Sequence, residues 1–243
     1  SALSVYLGNP QGTVPIMSNF LYAAQRERME ILAVCRCESS IFAGGAERAG
    51  EAAARKDVTL YAPNEEQGSL LLNEIMKRMN VRKKLLTDFC LANDLDEKNK
   101  DELARAAEYV RSHTTPILVF IENLADMVSN LDMMSEMLLD GVFKGMWQYN
   151  MRVIAFFEPK DEKRCQESVL YNGYALNGHM LLFGGRFDKQ KFCAVPMDGE
   201  KAKELLQYNL AVMRYNDDCY PLLMPCGEIR VEEIPEDDRS IFS

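Results

Sequence analysis

An acid and an amide stand side by side at the end of a short apolar run. Pro116 opens the run Pro-Ile-Leu-Val-Phe-Ile, and Glu122 and Asn123 follow it. Proline is tolerated at the first residue of a strand, and an apolar run without alternation is typical of a strand buried on both faces. In a nucleotide-hydrolysing domain, such a strand end usually carries two acids, one that holds Mg²⁺ and one that orients water.

The neutral amide changes the chemistry that this pair of residues offers. Hard cations accept carboxylate oxygens in general, so Glu122 remains a candidate Mg²⁺ contact, whereas Asn123 cannot act as a carboxylate base. Asp126 lies one helical turn further on and is the acid that would compensate. We therefore interpret Glu122 and Asn123 as a degenerate Mg²⁺ position. The alternative is a pair of polar residues that simply end a strand.

A second candidate site lies near the start of the chain. A strand predicted over 3–7 runs into the segment Gly-Asn-Pro-Gln-Gly-Thr, from Gly8 to Thr13. A phosphate loop aims backbone N–H groups and a helix N-terminus at the anion, with a lysine to neutralise it, in the pattern GxxxxGK[ST]. Gly8, Gly12 and Thr13 match this pattern in part, but the loop is one residue short and no lysine occurs before Lys56. An ordinary strand-to-helix turn is the alternative.

Composition excludes several other classes of protein. The 243 residues are 47% hydrophobic and carry a formal net charge of −9, which argues against broad binding of nucleic acid. Seven cysteines without a CxxC pair and two isolated histidines predict neither a metal site nor a disulfide framework, but reduced thiols in the cytosol. No run approaches a membrane span, and no signal peptide is predicted.

Two groups of side chains allow more than one interpretation. The basic cluster Lys77, Arg78 and 82–84 is predicted to be a solvated helix face. Several methionines on helix faces fit either a core filler or a surface for a partner. These methionines are Met127, Met133, Met134, Met137 and Met146.

Strands and helices alternate along the chain. Strands are predicted at 3–7, 39–43, 58–62, 117–121, 151–157, 179–183 and 191–195. Helices are predicted from Ser18 through Leu32 and at 46–55, 65–92, 96–111, 131–148, 162–171 and 199–213. The alternation predicts an α/β fold, a three-layer αβα sandwich with a mainly parallel central sheet. We expect one domain over 1–228, irregular after Tyr220, and an acidic tail or linker over 229–243.

These features together resemble a known family. The helix Phe20–Met29 leading to Cys35 and Arg36 is similar to that of the third ATPase module of EssC-type coupling proteins. These proteins belong to the FtsK/SpoIIIE family and drive type VII (b-type) secretion. The interval between the loop at 8–13 and the strand at 116–123 agrees with that family. The late segment Leu182-Phe-Gly-Gly, followed by Gln190 and Phe192, resembles the late strand pair of that family. The helix with Met76, Met79 and Arg82 resembles the helix that precedes the Mg²⁺ strand in that family.

The resemblance implies a P-loop NTPase-like fold and a place in a larger motor. It implies a degenerate module with a structural or regulatory role on the cytoplasmic side of the membrane, with neighbouring ATPase modules and secreted proteins as partners and a hexameric parent. Gly8, Gly12 and Thr13 match the phosphate loop, and Glu122 and Asn123 match the Mg²⁺ strand. No tightly held cofactor or metal and no nucleic acid are expected. A weak ATP/Mg²⁺-binding enzyme module and a DNA translocase relative remain alternatives.

Overall fold

Strands and helices alternate in the computed structural model, as the sequence predicts. The structure describes residues 2–7, 13–36, 57–170, 179–183, 200, 210–215 and 218–223. The strands are β1 Ala2–Leu7, β2 Glu30–Val34, β3 Val58–Tyr61, β4 Ile117–Ile121, β5 Met151–Phe157, β6 His179–Phe183, β7 Leu210–Tyr215 and β8 Asp218–Leu223. The α-helices are α1 Thr13–Arg26, α2 Glu65–Ala92, α3 Lys100–His113, α4 Leu124–Val128, α5 Met133–Gly145 and α6 Glu162–Glu167.

One sheet contains all of these strands, in the order β3-β2-β4-β5-β1-β6-β7-β8. The strands from β3 to β6 in this order pair in parallel, whereas β7 and β8 pair antiparallel at one edge. Parallel neighbours need crossover connections, which the helices provide. The predicted mainly parallel sheet is confirmed.

Helices cover both faces of the sheet, which gives the three predicted layers. Alternate residues of β4 point to opposite sides. Ile117, Val119 and Ile121 join the core under α2, α4 and α5. Leu118 and Phe120 join the core under α1. Because both faces are buried, every residue of β4 is buried and its sequence is apolar throughout.

The prediction of one helix from Ser18 through Leu32 is wrong in its second half. Helix α1 ends at Arg26, Arg28 has a positive φ of 51°, and β2 follows. The run Ile31–Val34 is apolar because it is buried on both faces, and a short run of this kind cannot be told from a buried helix by periodicity. The missed strand matters, because β2 is the direct neighbour of β4.

Two C-terminal predictions are also wrong in part. Residue 200 is helical, but residues 210–213 of the helix predicted over 199–213 belong to β7, and the segment predicted to be irregular after Tyr220 continues β8 through Leu223. Strand β7 pairs with β6 and with β8, so tertiary pairing overrides local propensity. The elements predicted at 39–43, 46–55 and 191–195 and the tail at 229–243 lie outside the described residues. The boundary at 228 therefore stays a prediction.

The basic cluster on α2 is only partly a solvated face. Arg82 is buried and donates to the carbonyl oxygens of Thr115, Tyr149 and Asn150 at 2.6, 2.7 and 3.0 Å. Burial lowers the pKa of Arg82, and the charge of Arg78 adds to this effect. Since these carbonyl groups precede β4 and β5, Arg82 ties α2 to the amino-terminal edge of the sheet. Lys83 is exposed as predicted.

Candidate functional site

Three neighbouring strands bring polar side chains together at the carboxyl-terminal edge of the sheet. Cys35 and Arg36 follow β2, Glu122 and Asn123 follow β4, and 158–161 follow β5. Strand β1 lies on the other side of β5, and five residues separate the end of β1 from the start of α1. In open parallel sheets, ligands bind in the crevice outside the carboxyl ends of the strands. This edge is the candidate site.

Asn123 holds two structural elements at once. Its Oδ1 atom accepts a hydrogen bond of 2.9 Å from the backbone N–H of Asp126, which caps the start of α4. Its Nδ2 atom donates to Oδ2 of Asp161 at 3.0 Å. The same Asp161 oxygen accepts the backbone N–H of Glu158 at 3.2 Å. The amide thus supplies an acceptor and a donor that a carboxylate could not supply together.

The environment of this amide is closed to water. Asn123 is 6% exposed and Asp161 is 3% exposed. Buried polar groups need partners, and the hydrogen bond between them satisfies both side chains. Asn123 therefore has a structural role at the end of β4, in agreement with the alternative that we left open from the sequence.

Arg36 connects the acids that follow β4. Its backbone N–H donates to Oε2 of Glu122 at 2.9 Å. Its guanidinium group forms a hydrogen bond and an ion pair with Asp126. Nη1 of Arg164, from α6, lies 3.8 Å from the other carboxylate oxygen of Asp126. The charges at this edge are therefore balanced by basic groups of the chain itself.

The pKa of Arg36 reflects this surrounding. Partial burial by itself lowers the pKa, but the hydrogen bond to Asp126 and the charges of Asp126, Glu122 and Glu158 raise it above its usual value. Arg36 therefore stays cationic at every physiological pH. Lys160 forms a further ion pair with Glu158, with 2.7 Å between Nζ and Oε2.

Cys35, next to Arg36, is a buried and protonated thiol. Its pKa is raised, mainly because burial disfavours the thiolate and also because Glu122 is negatively charged. Thiolates are the reactive form of cysteine, so Cys35 is suited to packing and not to nucleophilic chemistry. Within the described residues, no three His, Cys, Asp or Glu side chains are grouped as a metal site would require.

The structure brings together only some of the residues predicted for the site. Glu122 and Asn123 lie at the predicted edge. Thr13 is the first residue of α1, although its side chain and the residues Gly8 and Gly12 lie outside the described part. Their role in nucleotide binding stays a prediction.

Of the residues that contact this pair, the sequence indicated Asp126 but not the roles of Arg36 and Asp161. The sequence does not place Arg36 at a strand end, because its pattern predicts helix where β2 lies, and nothing in the sequence shows that β5 neighbours β4. Asp161 follows β5 by four residues, so a correct strand order would have been the signal to find it.

The topology and the polar edge together define a class. The chain has a P-loop NTPase-like αβα fold, with a parallel sheet whose first strand leads through a short connection into a helix. No model of a protein family and no curated protein matches the sequence.

Solved structures share this fold. The cytoplasmic domain of EssC superposes with a TM-score of 0.62 at 14% identity, covering 92% of this chain and 39% of that one. EssC (ATPases 2 and 3) from Geobacillus thermodenitrificans gives 0.60 at 13% identity, with 92% and 36% covered. EccC (ATPases 2 and 3) from Thermomonospora curvata, in complex with a signal sequence peptide, gives 0.52 at 13%, with 87% and 34% covered. This chain thus spans well under half of each, and the likeness establishes the fold.

Proposed function

We propose that this chain is an ATPase-like module of a type VII protein secretion motor that does not hydrolyse ATP efficiently. Its role would be structural or regulatory, or contact with a secreted protein. The likeness in fold to EssC and EccC domains supports the placement. The arrangement of Arg36 supports the loss of hydrolysis and is the observation that carries the proposal.

A hydrolytic site needs acidic oxygens that are available to Mg²⁺ and to water. Here Arg36 binds Asp126 through its side chain and Glu122 through its backbone N–H. A bound dication would have to compete with this guanidinium group for Asp126. The protein's own cation therefore supplies the charge neutralisation that a metal ion supplies in an active ATPase.

The chemistry of Asn123 also supports the proposal that the chain does not hydrolyse ATP efficiently. An amide does not take up a proton from water, and both ends of this one are engaged in hydrogen bonds. The lack of lysine before Lys56 removes the residue that neutralises the outer phosphates in a phosphate loop. Without these groups, phosphoryl transfer loses its main electrostatic stabilisation.

The proposed partners follow from the relatives. The neighbours contain several ATPase modules and are longer than this chain, so we propose neighbouring modules of the same parent as its partners. A hexameric, membrane-anchored parent and a location on the cytoplasmic side of the membrane are part of the proposal. No helix in the described residues has the length and apolarity needed to span a membrane. A secreted protein is a further proposed partner, and one neighbour was solved with a signal sequence peptide.

Calorimetric titration with MgATP, combined with a turnover assay, tests the proposal. We expect no binding in the low micromolar range and no turnover above background. Glu122→Gln removes the candidate Mg²⁺ contact, and Glu66→Gln on the exposed first turn of α2 is its matched control. Micromolar binding with turnover that Glu122→Gln abolishes and Glu66→Gln preserves would overturn the proposal.

A weak ATP-binding enzyme module is the second candidate. The observation that favours it is the amino terminus of α1, which follows β1 closely at the edge where phosphate groups bind in this fold. In that case, millimolar MgATP should raise the melting temperature in proportion to the logarithm of its concentration. An unchanged melting temperature would remove this candidate.

A DNA translocase relative is disfavoured by the net charge of −9. Binding of duplex DNA at low ionic strength, weakened by added salt, is the result that would revive it.

A further inference from the structure

Helix α5 presents an apolar face that no other described element covers. Met133, Met134, Met137 and Leu138 are 70%, 66%, 54% and 51% exposed. The opposite face of the helix carries Leu139, Val142 and Phe143, which are buried in the core. Consecutive large apolar side chains at such exposure mark an interaction surface more often than a solvated one. The structure thus decides that these methionines are at the surface, whereas Met127 and Met146 belong to the core.

Two glycines continue this face toward the end of the helix. Gly141 and Gly145 are four residues apart, and a Cβ atom at either position would meet no atom within 4 Å. With 3.6 residues per turn, Met134, Leu138, Gly141 and Gly145 share one stripe. Glycine weakens a helix, and no packing among the described residues requires it at these two positions. The stripe has two bulky residues in its first half and two hollows in its second half.

We propose that a second copy of this chain packs antiparallel against α5. In an antiparallel pair, the first half of one helix faces the second half of the other. Met134 and Gly145 lie at equal distances from the middle of the helix, and so do Leu138 and Gly141. One alignment of the two helices therefore places Met134 of each copy opposite Gly145 of the other, and Leu138 opposite Gly141. Bulky side chains of each copy enter the glycine hollows of the other, which is the self-complementarity that a two-fold interface demands.

The distribution of charge along α5 also favours a second, antiparallel copy of this chain as the partner. Asp132 caps the acidic start of α5, and Lys144 lies in its last turn, where it pairs with Asp140 at 2.6 Å. In an antiparallel pair, the Lys144 end of each copy approaches the Asp132 end of the other, and the helix dipoles oppose each other favourably. A parallel pair would place like charges and bulky residues side by side.

The size of this surface predicts a weak dimer. A helix of 13 residues is about 20 Å long and offers less than the roughly 800 Å² per partner that is typical of a stable interface. We therefore expect association that depends on concentration. This proposal is independent of the proposed ATPase-like role.

Sedimentation of the 243-residue chain from about 1 μM to about 1 mM tests the proposal. We expect a shift from monomer to dimer. Leu138→Lys should weaken the dimer at least tenfold, because a charge replaces the central apolar contact. Gly141→Leu should do the same by filling the hollow, while the melting temperature of the monomer does not fall. Leu91→Lys, on α2 at a position 77% exposed, is the matched control and should leave the dimer unchanged.

Disulfide cross-linking tests the proposed alignment of the two α5 helices. Met134→Cys combined with Gly145→Cys should give an oxidised dimer, since the two positions in one helix are about 16 Å apart and cannot join within a chain. Met134→Cys alone and the unmodified chain, with its native cysteines, are the controls and should remain unlinked. A monomer at about 1 mM, or a dimer that Leu138→Lys and Leu91→Lys affect equally, would overturn the proposal. The first result would leave the face to another partner.

Discussion

Asn123 donates a hydrogen bond of 3.0 Å to Asp161 across the ends of β4 and β5, and both side chains are buried. This relationship gives the amide at position 123 a structural role. A carboxylate at position 123 would face a second carboxylate in a place that water does not reach. The amide therefore stabilises this edge of the folded sheet.

Replacing Asn123 by aspartate should destabilise the protein by about 2–4 kcal/mol at pH 7. The new carboxylate retains the cap on α4 but loses the donor to Asp161 and adds a buried like charge. The deficit should shrink as the pH falls toward about 4, because protonation of the introduced carboxylate removes the added charge. Urea unfolding at pH 7 and at lower pH measures both effects.

Asn64→Asp is the matched control for this substitution. Asn64 also caps a helix, by accepting the N–H of Gln67 at 2.9 Å, but it is exposed and faces no buried acid. It should be nearly neutral. The exchange Asn123→Asp with Asp161→Asn should recover most of the lost stability. If Asn123→Asp and Asn64→Asp destabilise the protein equally, the structural role of Asn123 is contradicted.

Removing Arg36 should expose the acidic edge to divalent cations. Arg36→Ala removes the closer basic partner of Asp126 and leaves, among the described residues, only the contact of 3.8 Å to Arg164. The stability loss should not exceed about 1 kcal/mol, because the Arg36 side chain is 45% exposed and water screens the pair. Millimolar Mg²⁺ should then raise the melting temperature of the variant more than that of the unmodified protein.

The exposed pair of Arg111 and Glu108 on α3 offers the control for this experiment. Arg111→Ala removes an arginine of similar exposure at another place, and its response to Mg²⁺ should equal that of the unmodified chain. If Mg²⁺ acts alike on all three proteins, Arg36 does not occupy a cation position.

The buried thiol of Cys35 should make stability fall in alkaline solution. Its folded-state pKa is raised above the usual value near 9, so above pH 9 the unfolded chain loses a proton that the folded chain keeps. This contribution is fully present below pH 9 and is lost as the pH rises further, at about 1.4 kcal/mol per unit.

Unfolding free energies at pH 8.5 and pH 10 for the unmodified chain and for Cys35→Ala measure this effect. The variant should be less sensitive to the rise in pH by about 1 kcal/mol. The pKa of Cys90 is raised as well, mainly by burial, and its contribution cancels in the comparison. Identical slopes in the two proteins would show that Cys35 is accessible to water.

Arg82→Met should cost about 2–4 kcal/mol, since three carbonyl oxygens lose the hydrogen bond from the guanidinium group. Arg82→Lys should recover part of this loss, because an ammonium group reaches fewer of the three acceptors at once. Lys83→Met, an exposed neighbour on the same helix, should stay within about 0.5 kcal/mol of the unmodified protein. Urea unfolding compares the three variants, and a small effect of Arg82→Met would place its guanidinium group in water.

The sequence by itself determined the elements whose residues carry one clear pattern. The strands β4, β5 and β6 and the long helix α2 have the predicted bounds, because apolar runs between turn residues and a capped periodic stripe are local signals. These signals sufficed for an α/β fold with a mainly parallel sheet, and for the position of Glu122 and Asn123 at a strand end.

Only the tertiary structure decided which of these residues meet. Arg36 and Asp126 are 90 residues apart, and Asn123 and Asp161 are 38 apart. Their contacts depend on the order β2-β4-β5, which no local pattern encodes. The methionines likewise divide between core and surface according to the face that packs on the sheet. The sequence determines the chemistry of each side chain, but the packing of the folded domain determines which residues distant in sequence come into contact.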